Sequence, residues 1–342
     1  MSSSNASPNP RGFLAAFACT LALLGAALVA ALVIVDPLGA GHGNALCPAG
    51  AKSRLPDYFK FIIPQTQNAQ SAILGTSRVH FGFDSALLEE TGGTGTVNLG
   101  VSAALNADFD VLAEEMLAVG PAPSLFVGTD FNLTHQERGE EPPGRNERAS
   151  GNVLSRLRAY YFNRGAMIQL PKSIPDCTAR NHADGSPILF DSETPFSLAR
   201  IPRDSEILVE RFRAVDSQRL ANQRLAQLQA QLRSWKARGA NVVIFAAPYS
   251  DDFRAVVEDA GMTDAFEAYH RALARISAQE GVPFLDFHGP RQFAALDMQP
   301  CPGGGIQCHY YDLTHYDRSV AQAMAPFLRR AMDRTVRSQE HN

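Results

Sequence analysis

Three polar residues, far apart in the sequence, have the side chains needed for nucleophilic acyl chemistry. Ser77 stands in ILGTSR, directly after a short apolar run and a Gly-Thr turn. Asp312 and His315 form a D-x-x-H spacing towards the other end of the chain. A carboxylate that orients a histidine through Nδ1–H leaves Nε2 as a general base, and such a base activates a serine hydroxyl. Taken singly, they are also typical of a turn serine, a helix-cap aspartate and a surface histidine.

Two further segments have the composition of an oxyanion hole. NLGVSA (98–103) offers the backbone N–H groups of Gly100 and Ala103, and GTDFN (128–132) offers the side chains of Asp130 and Asn132. An oxyanion hole needs donors directed at the place where negative charge develops. Ordinary turns between a strand and a helix have the same composition, so that interpretation also stays open.

The predicted elements would bring these segments to one edge of a sheet. Strand patterns occur in SAILGTSR, TVNLGV, SLFVGTD, NVVIFAAPY and VPFLDF, which begin at residues 71, 96, 124, 241 and 282. Helical patterns alternate with them over 104–118, from an N-cap at Asp204 or Ser205 to Gly239, over 263–279 and over 317–336. This alternation predicts an α/β fold with a three-layer, doubly wound parallel sheet. Active sites in such sheets lie at the carboxyl ends of the strands.

The order of these motifs resembles the SGNH (GDSL-like) hydrolase superfamily. The likeness is strongest to its membrane-anchored cell-envelope branch, which includes proteins of polysaccharide O-acetylation and teichoic-acid D-alanylation. It covers roughly 70–130 and 240–335. The resemblance implies a flavodoxin-like sheet, with Ser77 as nucleophile, His315 as base and Asp312 as its orienting partner. It places an oxyanion donor at the backbone of Gly100 or Ala103.

Asp130 is the main departure from that family pattern. The family has G-x-N-D where this chain has GTDF, so an aspartate occupies the position of the oxyanion-hole asparagine. An ionised carboxylate there would repel a developing oxyanion. Three alternatives follow: Asn132 takes the place of the missing asparagine, Asp130 is protonated or turned away from the site, or hydrolysis is weak. Ala103 replaces a usual glycine but keeps its N–H, and Arg78 is expected to bind an anionic substrate group or to cap a loop.

A 23-residue segment without charge or proline, FLAAFACTLALLGAALVAALVIV, runs from residue 13 to residue 35. About 20 such residues span a membrane as a helix, whereas the apolar core of a cleaved signal peptide is usually shorter. The sequence therefore favours a single-pass transmembrane signal-anchor over the alternative of a cleaved signal peptide. Residues 1–12 would be a short cytoplasmic tail and 36–68 a linker.

The remainder, 69–338, is predicted to form one SGNH-like domain on the periplasmic side of a bacterial inner membrane. Residues 133–204 interrupt the strand–helix rhythm and are predicted to be an insertion with one helix around 150–162. Long insertions in α/β folds often cover the site.

Composition and cysteine usage agree with an extracytoplasmic globular domain. The chain has 342 residues, 45% hydrophobic and 19% charged, which excludes a disordered protein. A formal net charge of −4 without a basic cluster excludes a dedicated nucleic-acid binder. Cys19 lies in the apolar segment, and the other four cysteines suit two disulfides in an oxidising compartment: Cys47, Cys177, Cys301 and Cys308.

The sequence predicts neither a metal nor a cofactor. His309, Asp312 and His315 have the types of a metal set, but a metal ion would occupy the histidine that the triad needs. Two functional hypotheses remain. The first is a serine esterase or O-acyltransferase acting on an envelope glycan or lipid ester. The second is a catalytically inactive glycan-binding or assembly module that works with other envelope-assembly proteins.

The two predicted disulfides can be tested on the native full-length chain. We expect a thiol-alkylating reagent to modify none of Cys47, Cys177, Cys301 and Cys308 before reduction, as judged by mass spectrometry, because disulfide sulfur is not nucleophilic. Alkylation in denaturant without reductant separates bonded cysteines from buried thiols. Four modified thiols in the native chain would reject both disulfides.

Overall fold

The strands form one parallel sheet in the order β2-β1-β3-β4-β5. The computed structural model describes residues 10–35, 69–83, 85–93, 95–101, 104–120, 122–131, 201–214 and 217–340. The strands are β1 Ser71–Gly75, β2 Thr96–Gly100, β3 Ser124–Thr129, β4 Asn241–Ala246 and β5 Phe284–Asp286. The chain leaves β1 towards β2 on one side and returns to β3 on the other, which makes the carboxyl ends of β1 and β3 the switch point. The predicted α/β sheet is confirmed.

Helices cover both faces of this sheet. In the described residues they are α1 Pro10–Val35, α2 Ser77–Gly82, α3 Ser85–Gly92, α4 Asn106–Val119, α5 Ile201–Ala214, α6 Ser217–Ala237, α7 Asp251–Asp259, α8 Thr263–Glu280, α9 Pro290–Ala295 and α10 Arg318–Glu340. A 3₁₀ turn spans Gln307–His309. The sequence patterns do not predict the short helices α3, α7 and α9.

Alternate residues of the strands feed two separate cores. Leu125 and Val127 of β3 pack towards α4, α6 and α8, whereas Phe126 between them packs towards α2, α3 and α10. Every residue of β1 and β4 is buried. Continuous apolar runs of this kind are what strands covered on both faces require.

Helix α6 shows how the sequence specifies one of these layers. Leu225, Leu228, Leu232 and Trp235 fall on one helix face, as predicted, and all four are buried. Gly239 follows the helix at φ +94°, a left-handed conformation that glycine adopts without steric cost.

The predicted start of this helix is wrong. Asp204 and Ser205 are the fourth and fifth residues of a separate helix, α5, and the leucine stripe belongs to α6. Acidic residues are favoured throughout the first turn of a helix as well as at its N-cap, because both places lie near the positive end of the helix dipole.

Several predictions fall outside the described residues or concern the amino-terminal segment. Helix α1 contains the whole apolar segment 13–35. In the described part of the chain, no helix meets the length and hydropathy of a membrane span. The linker 36–68, the insertion as far as residue 200, and Cys47 and Cys177 lie outside the described residues.

Replacing Trp235 tests the core between α6 and the sheet. Its side chain is fully buried and its Nε1 donates to Asp110 Oδ1 at 3.2 Å. We expect Trp235→Ala to lower the free energy of unfolding by about 3–5 kcal/mol in chemical denaturation, because it leaves a large cavity. Gln227→Ala, on the exposed face of the same helix, is the control and should change it by less than about 0.5 kcal/mol.

Candidate active site

Ser77 is the first residue of α2, immediately after the turn that ends β1. Thr76 is the N-cap, and its hydroxyl accepts a hydrogen bond from the Arg78 N–H at 3.3 Å. Gly75 permits the tight turn, because a Cβ there would lie 2.2 Å from Val79 Cγ2. The turn therefore presents Ser77 at the carboxyl edge of the sheet, beside the switch point.

Ser77, His315 and Asp312 are joined by two short hydrogen bonds. The Nε2 of His315 lies 2.7 Å from Ser77 Oγ. Its Nδ1 lies 2.7 Å from Asp312 Oδ2. If Nδ1 carries the proton, Nε2 is free to accept the proton of the serine hydroxyl. This is the geometry of a serine–histidine–aspartate triad.

The loop before α10 holds Asp312 in its ionised form. The backbone N–H groups of Thr314 and His315 both donate to Asp312 Oδ1 at 2.8 Å. Burial acts to raise the pKa of Asp312, but hydrogen bonds from the His315 side chain and from these two N–H groups outweigh it. The pKa of Asp312 consequently lies below its ordinary value. A charged carboxylate is what the imidazolium formed during catalysis needs beside it.

Contacts from the end of β4, from α2 and within the loop itself fix the same loop. Ser250 Oγ, following β4, donates to the Leu313 carbonyl at 2.6 Å. The N–H of Tyr311 donates to the carbonyl of His315 at 2.8 Å. The edge of Phe81, from α2, packs on the imidazole of His315 with ring centroids 5.4 Å apart. A disulfide joins Cys301 to Cys308, two of the four cysteines expected to pair, and closes the loop just before this segment.

Arg78 is buried and binds loop carbonyls, which fits the loop-capping alternative and not the substrate contact. Its side chain is 4% exposed, and Nη1 donates to Asp130 Oδ1 at 2.5 Å. Its Nε donates to the Thr314 carbonyl at 2.9 Å, and Nη2 donates to the carbonyls of Ala247 and Pro248. The guanidinium stacks 4.0 Å above the Tyr249 ring. Burial opposes the charge of Arg78, but Asp130 together with the surrounding Tyr249, Tyr310 and Tyr316 outweighs burial and keeps the pKa of Arg78 above its ordinary value.

Asp130 is turned into this buried network, which was one of the three alternatives for it. Besides Arg78, its carboxylate accepts hydrogen bonds from the hydroxyl of Thr76 and from that of Tyr249, the latter at 3.3 Å. Burial and the charge of Asp130 raise the pKa of Tyr249, so this phenol stays protonated and can donate. The expected oxyanion contact from the Asp130 side chain is therefore absent.

Gly100 also differs from its expected function. Its N–H donates to Asn98 Oδ1 at 2.8 Å, so it is not directed at a substrate. The glycine instead allows close packing, because a Cβ at this position would lie 2.4 Å from the His80 nitrogen of α2. Of the other proposed oxyanion residues, Ala103 and Asn132 lie outside the described residues.

Asn98 is a positioning residue that the sequence patterns do not single out. Its Nδ2 donates to the carbonyls of Val79, His80 and Phe83, at distances from 2.9 to 3.3 Å. These carbonyls lie in the last turn of α2 and at its C-cap, where backbone acceptors call for side-chain partners, and that of Val79 also accepts the N–H of Phe83. Asparagine at this place in β2 therefore fixes the carboxyl end of the helix that begins at Ser77.

A second aspartate–histidine contact lies at the end of β5. The Nδ1 of His270 is 3.0 Å from Asp286 Oδ1, while its buried Nε2 has no hydrogen-bond partner among the described residues. Burial and the neighbouring His270 lower the pKa of His288 to about 3, so His288 is neutral. Because no hydroxyl or thiol in the described part of the chain contacts His270 Nε2, this pair shows no nucleophile there.

The described residues hold no three-ligand set ready for a metal ion. Cys301, Cys308 and His309 come close together, but the two sulfurs are bonded to each other and are not thiolates. In the other set considered, His315 uses both ring nitrogens for Asp312 and Ser77.

The chain was compared with known proteins. No family model matches it, and no curated protein is significantly similar to it in sequence. Among solved structures, a GDSL-like lipase from Bacteroides thetaiotaomicron is similar at 10% identity and a TM-score of 0.39, covering 78% of this chain and 89% of the lipase. An acetylxylan esterase from Geobacillus stearothermophilus is similar at 11% identity and a TM-score of 0.40, covering 78% of this chain and 96% of the esterase. A likeness with identity and TM-score this low assigns no activity to the chain.

Substituting Gly100 tests the close approach of α2 to β2. We expect Gly100→Ala to destabilise the fold by about 1–3 kcal/mol, because the new methyl group meets the backbone of α2 and not a movable side chain. Chemical denaturation measures the loss. Gly120→Ala is the matched control, since a Cβ at Gly120 meets nothing within 4 Å and its φ of −169° suits any residue. Equal stability of the two variants would contradict the packing explanation.

Proposed function

We propose that this protein is a serine-dependent ester hydrolase or O-acyltransferase. The observation that carries the proposal is the pair of 2.7 Å hydrogen bonds that join Ser77, His315 and Asp312. The nucleophile, the base and its orienting carboxylate come from two segments 238 positions apart in sequence. Their alignment at the switch point of the sheet is the arrangement that acyl transfer needs.

The reaction follows from the positions of the protons. Ser77 Oγ attacks the ester carbonyl while His315 Nε2 takes its proton. The bond between the carbonyl carbon and the leaving alcohol then breaks, and His315 returns the proton to the alcohol oxygen. Water or a sugar hydroxyl attacks the acyl-serine in turn, again giving its proton to His315. The bond between the acyl carbon and Ser77 Oγ then breaks, and His315 returns the proton to Oγ, which regenerates the serine. Asp312 stays ionised throughout and stabilises the imidazolium in both halves of the cycle.

The oxyanion donors in this proposal are backbone groups. Ser77 begins α2, so no preceding helical carbonyl accepts its N–H. The second donor implied by the family resemblance is the N–H of Ala103. Asp130 does not place an uncompensated negative charge beside them, because Arg78 neutralises it. This removes the objection that the aspartate at position 130 raises from sequence.

The location and the substrate class are also proposed. We propose a single-pass anchor in the bacterial inner membrane and a periplasmic catalytic domain, supported by the apolar segment 13–35 and by the Cys301–Cys308 disulfide, a bond typical of oxidising compartments. The substrate would be an ester on an envelope glycan or lipid, handled together with envelope-assembly proteins.

A second candidate function is a non-catalytic glycan-binding or assembly module. It is favoured by a specific observation: the Gly100 N–H, one of the two backbone donors expected at an oxyanion, is engaged in an internal hydrogen bond with Asn98 Oδ1. A fold can persist after its chemistry is lost. Wild-type turnover decides between the two candidates.

Ester turnover by the full-length chain tests the proposal. With p-nitrophenyl acetate, we expect Ser77→Ala to lower kcat by at least about 10³-fold, because the nucleophile is lost. Asp312→Asn should lower it by about 10³–10⁴-fold through the wrong histidine tautomer. Adding an oligosaccharide acceptor and measuring acylated sugar against free acetate separates transfer from hydrolysis.

Ser234→Ala is the control for these variants, because this serine is exposed on α6 and should leave kcat unchanged. If Ser77→Ala hydrolyses the ester as fast as the wild type, the nucleophile assignment is wrong. A folded wild type that binds glycan but turns over no ester would support the second candidate.

A further inference from the structure

Arg78 connects the nucleophile to the general base through a single side chain. It is the residue after Ser77, so its backbone belongs to the turn that presents the nucleophile. Its Nε donates to the carbonyl of Thr314, the residue before His315. The two partners of this hydrogen bond are 236 positions apart in sequence. The bond therefore crosses the site beside the contact between Ser77 and His315.

The peptide group between Thr314 and His315 is held from both sides. Its carbonyl oxygen accepts from Arg78 Nε at 2.9 Å, and its N–H donates to Asp312 Oδ1 at 2.8 Å. Fixing both ends of one planar peptide fixes the Cα from which the imidazole of His315 extends. A displacement of about 1 Å in a reacting group can cost about 100-fold in rate.

The rest of the guanidinium is fixed to the strand ends. Nη1 binds Asp130 after β3, and Nη2 binds the carbonyls of Ala247 and Pro248 after β4. The hydroxyl of Tyr310 also donates to the Pro248 carbonyl, at 2.6 Å. Because guanidinium is a rigid planar fork, these contacts determine where Nε points.

We propose that Arg78, neutralised by Asp130, is a positioning residue that holds the Thr314–His315 peptide and thereby sets the distance between Ser77 and His315. This inference rests on the proposed function, since it concerns the same triad. It extends the loop-capping alternative for Arg78, one of the two that the sequence left open. It also gives Asp130 a function, which is to keep a buried guanidinium charged and oriented at this place.

The test compares Arg78→Lys with the wild type in the full-length chain. Lysine keeps the charge beside Asp130 but offers a single ammonium, which cannot also reach the Thr314 carbonyl in the geometry of the fork. We expect kcat for p-nitrophenyl acetate to fall about 10- to 100-fold with KM within about twofold. Arg238→Lys, in the exposed pair with Glu114, is the matched control and should leave kcat unchanged.

A readout that does not need turnover keeps this inference separate from the proposed function. The proton between His315 Nδ1 and Asp312 gives an NMR resonance in a protein with an intact dyad, whether or not the protein hydrolyses esters. We expect this resonance to shift or broaden in Arg78→Lys and to stay unchanged in Arg238→Lys. Circular dichroism establishes that the variant is folded.

The outcomes are distinct. Wild-type kcat in a folded Arg78→Lys variant, with the resonance unchanged, would overturn the positioning of His315 by Arg78. A loss of kcat explained wholly by the unfolded fraction, with the resonance intact in the folded fraction, would also overturn it. Absence of ester turnover in the wild type would overturn the proposed function alone, and the resonance would still decide the inference.

Discussion

The buried ion pair between Arg78 and Asp130 is the interaction on which the site depends. A guanidinium removed from water is costly unless a carboxylate and further acceptors compensate it, and here the acceptors come from the ends of β3 and β4 and from the loop before α10. Satisfying one side chain thus requires three parts of the chain to meet at a single point. Because Arg78 directly follows Ser77 in the sequence, the contacts that compensate its charge also bring the triad residues together.

The sheet order explains why these parts can meet there. With β1 between β2 and β3, the turns after β1 and β3 lie side by side at the switch point, and the loop before α10 closes over them. Glycine at positions 75 and 100 lets α2 approach the strands closely enough for its first turn to reach this crevice. Asn98 then binds the carbonyls at the other end of the helix. The short helix is therefore held at both ends by the strands it packs on.

Sequence patterns predict the strands, the longer helices and the convergence of Ser77 with Asp312 and His315, because each depends on local periodicity or on strand order. They do not predict the functions of Arg78, Asp130 and Gly100. The burial of Arg78 depends on carbonyls about 170 positions away. The backbone N–H of Gly100 donates to the side chain of Asn98, two residues earlier, and the direction of that side chain depends on the backbone geometry. A charged residue next to a nucleophile is as consistent with a substrate contact as with an internal one until its partners are known. The catalytic assignment and the membrane anchor stay predictions.

The separation of Ser77 from His315 by 238 positions also sets the order in which the site is completed during synthesis. A chain made from its amino terminus displays the serine long before the histidine exists, and a serine without its base is a poor nucleophile. Of the two strand ends that receive Arg78, that of β4 likewise follows only after residue 246. Any reactivity of Ser77 towards esters would consequently be a property of the finished fold, and a partly made chain would lack it.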